Sequence, residues 1–160
     1  MPSPSPALRR TPEPPLRGFL LAVFLLGAVG TAGELLLVEH YEDPWQYAPL
    51  VLIGTSLLVL AVHGAVRGRW TLQAFRVLMV LFIPAGAAGL MLHYRANIEF
   101  VAETYPDLMG WRLFWDAVRG TAPPSLAPGA MVVLALAGLG YAHRHPDLTA
   151  TTTSTTGASS

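Results

Sequence analysis

No cysteine occurs among the 160 residues. Its absence excludes disulfides, thiolate zinc sites, covalent haem attachment through Cys-x-x-Cys-His, all-cysteine iron–sulfur clusters and lipid attachment to a thiol. Lysine is missing too, and with it the Gly-x-x-x-x-Gly-Lys phosphate loop; His-Glu-x-x-His, Gly-x-Ser-x-Gly and the dinucleotide-binding glycine pattern are equally absent. Charge is scarce at 12%, and ten arginines balance ten acids, so the net charge of +0 gives no reason to expect nucleic acid as a partner.

What is present is apolar. Hydrophobic residues make up 52% of the chain and the mean hydropathy is +0.46, outside the ordinary range for a soluble domain of this length. The composition predicts an all-α integral membrane protein: a four-helix bundle of spans with an additional amphipathic outer helix between the third and fourth. Four spans of about twenty residues leave no room for a separate catalytic domain, so no enzymatic activity and no cofactor are expected.

Residues 1–17 are proline-rich and carry Arg9, Arg10 and Arg17, a composition that reads as a disordered lead-in. The membrane domain is expected over 18–146, with spans at about 18–38, 48–66, 74–93 and 128–143. A cleaved signal peptide competes for the first run, with Ala28, Gly30 and Ala32 as small residues for a peptidase, but the apolar stretch continues through Leu35, Leu36 and Leu37 and favours an uncleaved helix. Asp43-Pro44 marks a turn, Pro49 suits the first turn of the second helix, and Pro84 is expected to kink the third. The segment 94–120 places Leu108, Trp111, Phe114, Trp115 and Val118 near one helical face, which predicts a helix along the outer membrane surface. Residues 147–160, rich in threonine and serine, read as a disordered tail.

Arginine placement sets the orientation. Arg9, Arg10, Arg17, Arg67, Arg69, Arg76 and Arg144 fall on one predicted side; Arg95, Arg112 and Arg119 fall on the other, among seven acids. Positive residues favour the inside, so both termini are expected to be cytoplasmic, with the chain multi-pass in a cell membrane; the all-arginine basic content suggests a bacterial inner membrane.

Among single residues Glu34 stands out, because a carboxylate at the centre of a span costs about 2.5 to 3.5 kcal/mol, and less off-centre. Twelve Leu, Val and Phe side chains in the same span contribute about 0.5 kcal/mol each, so the helix inserts, but Glu34 needs a proton or a partner. His93 lies at comparable depth, about 13 Å toward the outside against about 9 Å for Glu34 by the helix rise, and the two could pair if helices one and three are neighbours. Around them, Glu39, His40, Glu42, Asp43, Gln46, Arg95, Asn97, Glu99 and Glu103 form an outer polar cluster. It suits a divalent cation or a polar ligand by residue type, and equally a solvated acidic face; its spacing alone selects no metal. Gly27, Gly30 and Gly33, and likewise Gly86 and Gly89, provide small surfaces for close helix packing.

Three functional readings follow. The preferred one is a non-enzymatic accessory or assembly subunit of a larger membrane complex, its partners being the lipid bilayer and another membrane protein or a second copy. The second is a small transporter or channel using a protonatable Glu34/His93 pair. The third is a b-type haem electron-transfer protein, since His40 and His93 fall toward the outside and His63 and His143 toward the inside; these histidines lie mostly at span ends, whereas axial ligands usually sit within a bundle.

Overall fold

In the computed structural model of the chain, residues 14–39, 44–119 and 126–149 are described. All of their regular structure is helical. Helix α1 spans Pro14–Leu37, a 3-10 turn covers Pro44–Gln46, and α2 (Tyr47–Val66), α3 (Arg69–Thr104), α4 (Gly110–Val118), α5 (Leu126–Ala142) and the short α6 (Pro146–Thr149) follow. Helices α1, α2 and α3 are each long and apolar enough to cross a membrane, while α5 is shorter.

The first helix begins earlier than the expected Gly18, at Pro14, where prolines fit the first helical turn because its N–H groups have no intrahelical acceptor. The larger difference concerns α3, which runs for 36 residues, through Pro84 and beyond the expected end at His93 to Thr104. Nothing between His93 and Thr104 is a glycine or a proline. The first breaker is Pro106, and Tyr105 before it leaves the helical region at φ −131°, ψ 77°. The predicted outer segment is therefore split: its first part prolongs α3, and only Gly110–Val118 forms the separate helix α4. At the opposite end α2 turns into α3 in two residues. Arg67 adopts the left-handed conformation (φ 47°, ψ 40°), its N–H donates to the His63 carbonyl at 2.7 Å, and Gly68 is extended.

Helices α1, α2, α3 and α5 contribute to one core. Phe24 of α1 meets Phe75 of α3 edge-on with ring centroids 5.2 Å apart and lies 6.4 Å from Phe82; all three rings are fully buried. Packing of α5 on α3 is close because glycines remove side chains from the interface. A methyl group on Gly86 would approach the Pro128 carbonyl oxygen to 2.7 Å, and one on Gly138 would collide with Met79. Helices α1 and α3 each pack on α2 and α5 but not side by side, so they meet mainly through these aromatic rings.

Little of the apolar surface is covered by the chain itself. The most apolar window of α1, α2 and α3 is 22%, 17% and 22% buried respectively. Leu26, Val29 and Leu37 of α1, Val51 and Leu58 of α2, and Val77 and Met91 of α3 are exposed, a pattern that a water-soluble monomer would not sustain.

Candidate functional site

Two places gather side chains that packing alone does not explain. One lies where α2 ends, α3 begins and α5 gives way to α6. His63, in the last turn of α2, is buried. Its Nδ1 is 2.8 Å from the Thr71 hydroxyl, and Thr71, in the first turn of α3, donates to the Gly68 carbonyl at 2.6 Å. On the other side of the ring, His63 Nε2 lies 3.3 Å from Asp147 Oδ2. The half-buried His145 brings Nδ1 to 3.7 Å from the same oxygen and accepts the Asp147 backbone N–H at 3.3 Å. Rings enclose the group: His63 and His145 are 5.5 Å apart by centroid, and Tyr141 is 5.3 Å from His145. Burial holds the His145 imidazole below its usual range; Arg17, His63 and Arg67 push in the same direction and Asp147 opposes them. Arg17 also donates to the Arg144 carbonyl at 3.0 Å, tying the start of α1 to the segment after α5.

The second place is α4. Trp111 stacks on Phe114 at 5.0 Å and on Trp115 at 5.7 Å, with interplanar angles of 21° and 16°. Arg119 covers the Trp115 ring at 4.9 Å. The plate is fixed to α3 by an edge contact of Tyr94 with Phe114 at 5.7 Å and by Asn97 Nδ2, which donates to the Ala117 carbonyl at 3.0 Å. Trp111 nevertheless remains 72% exposed, so the aromatic face is presented outward.

The residues singled out from the sequence are distributed differently. Glu34 is exposed on α1 and His93 half-buried on α3, two helices that do not pack side by side. Of the outer cluster, Glu39 closes α1 in the left-handed conformation (φ 52°), Gln46 lies in the 3-10 turn, and Arg95 and Glu99 are exposed on α3. His40, Glu42 and Asp43 lie outside the described residues. Gly27, Gly86 and Gly89 face α5, where added Cβ atoms would meet Leu134 or Pro128, whereas Gly30 and Gly33 have nothing within 4 Å. His145, Asp147 and Thr71 were not legible as a site. The available signal was the alternation His143-x-His145-x-Asp147 directly after the last apolar run, at the same predicted depth as His63. No protein family, no curated protein and no solved structure matches the chain in comparison searches.

Proposed function

We propose that this chain is a small multi-pass membrane protein, a bundle in which α1, α2, α3 and α5 cross the bilayer with both termini cytoplasmic, and that it serves as a non-enzymatic accessory or assembly subunit of a larger membrane complex. The observation that carries the reading is the exposed carboxylate of Glu34. It borders an apolar face of α1 on which Leu26, Val29, Gly30 and Leu37 are exposed and Gly33 is half-buried. Inside the expected span a carboxylate left against lipid is unfavourable by up to about 2.5 to 3.5 kcal/mol. A helix from another subunit removes that cost if it packs on the glycines and offers Glu34 a donor. The arginine asymmetry supports the orientation, and the aromatic plate of α4 suits the headgroup zone on the outer side. Helix α5, at 17 residues, is about 26 Å long by the helix rise, slightly under the hydrocarbon thickness of about 30 Å; its place against α3 and α1 supports it as the fourth span.

Capture from native membranes after gentle solubilisation tests the reading. The wild-type chain is expected to retain a stoichiometric membrane partner or a second copy, and Glu34→Leu and Gly30→Phe are expected to lose it while keeping the helical circular dichroism of the wild type. A wild-type chain that runs as a partner-free monomer, or variants that keep the partner, would overturn it.

A further inference from the structure

We propose that His63, His145 and Asp147 form a binding site for a divalent transition-metal ion, zinc by preference, at the end of the helices where α2 turns into α3. The Thr71 hydroxyl has one hydrogen, and it is committed to the Gly68 carbonyl at 2.6 Å. The same oxygen lies 2.8 Å from His63 Nδ1, so it accepts there, and Nδ1 carries the proton. In the neutral ring Nε2 is then a bare lone pair, and it faces Asp147 Oδ2 at 3.3 Å. His145 Nδ1 lies 3.7 Å from that carboxylate oxygen; its one lone pair accepts the Asp147 N–H at 3.3 Å, a contact that an ion at the site would replace.

Three acceptor atoms thus converge, all within 4.8 Å of one another. His63 Nε2 and the carboxylate oxygen, 3.3 Å apart, repel one another unless a positive centre lies between them. A proton on His63 bridges it to Asp147 and leaves His145 held to that residue only through the backbone N–H. A metal ion engages all three side chains at once. Tetrahedral zinc with bonds of about 2.0 to 2.1 Å keeps neighbouring ligand atoms about 3.3 to 3.4 Å apart; the two separations to Asp147 are 3.3 and 3.7 Å, and the third lies within 4.8 Å, so the His145 ring closes in on the ion when it binds. Two imidazoles and a carboxylate match the preferences of zinc. The hydrogen bond from His63 to Thr71 is the outer-shell contact that fixes the tautomer of a metal-bound histidine. Three protein ligands leave a fourth position for water or an external donor. Arg17 and Arg67 act on the same cluster, and their charge makes the site weaker than one with acidic neighbours. An ion bound here would clamp α2 to the segment that follows α5.

The full chain, purified without a histidine tag, stripped with a chelator and reconstituted in nanodiscs, is titrated with Co²⁺ as a spectroscopic probe and then with Zn²⁺. One equivalent of Co²⁺ is expected to bind with the visible absorption of a four-coordinate ion, and Zn²⁺ to displace it. Asp147→Asn and His145→Ala, both in the peripheral segment, should each weaken binding by at least about tenfold without loss of helical circular dichroism. Thr71→Ala should weaken it about 10- to 100-fold, and Thr71→Ser should restore it. Absence of saturable binding by the wild type would leave the cluster a proton-bridged ion pair and overturn the proposal. Binding that persists unchanged in Asp147→Asn and His145→Ala would assign the metal to other histidines and overturn it equally.

Discussion

Glycines on two helices show how differently one residue type behaves according to what faces it. A methyl group on Gly86 would lie 2.7 Å from the Pro128 backbone oxygen, which cannot rotate away, whereas one on Gly30 meets nothing within 4 Å. Gly86→Ala is therefore expected to destabilise the fold by about 1 to 3 kcal/mol through overpacking. Gly30→Ala should leave the isolated chain unchanged, or stabilise it by up to about 1 kcal/mol through helix propensity. Unfolding followed by circular dichroism in the same detergent measures both, and equal effects would mean that α5 does not seat on Gly86. The sequence spacing identified both sets of glycines as small surfaces without telling which was covered, because that depends on where α5 lies. His63 was legible only as a histidine near a span end. Its partners Thr71, His145 and Asp147 come from two other elements, and no local periodicity connects them.

Among the elements, the apolar runs were plain because a continuous hydrophobic stretch needs no tertiary information to be recognised. The end of α3 was not. Its polar continuation through Glu99 and Glu103 resembles a surface helix, and only the chain break at Tyr105-Pro106 separates it from α4. The aromatic plate of α4 remains the feature through which the proposed placement of that region can be tested. In a variant carrying Trp45→Phe and Trp70→Phe, emission comes from Trp111 and Trp115 alone. Transfer from detergent into bilayers is expected to shift that emission to the blue and to reduce acrylamide quenching, as headgroup residence requires. Strong quenching that bilayers and co-purified partners leave unchanged would remove α4 from the interface.

For the molecule as a whole, the proposed orientation rests on arginines. The turn between α2 and α3 carries Arg67, with Arg69 opening α3, and the turn before α4 carries Asp107. In intact cells Gly68→Cys is expected to resist a membrane-impermeant maleimide and Met109→Cys, at an exposed position, to react with it; the reverse pattern would invert the topology. Helix α3 joins these two sides without interruption. Thr71 and Asn97, which hold the histidine cluster and α4 respectively, are about 39 Å apart along it at 1.5 Å per residue. Pro84 lies midway, and having no N–H it leaves the Val80 carbonyl without its intrahelical donor. Mechanically, the missing hydrogen bond makes Pro84 the place where α3 bends most easily. With the lower arm held at Thr71, a bend of about 10° at Pro84 swings an upper arm of about 20 Å and displaces Asn97, with α4 attached, by about 3 Å.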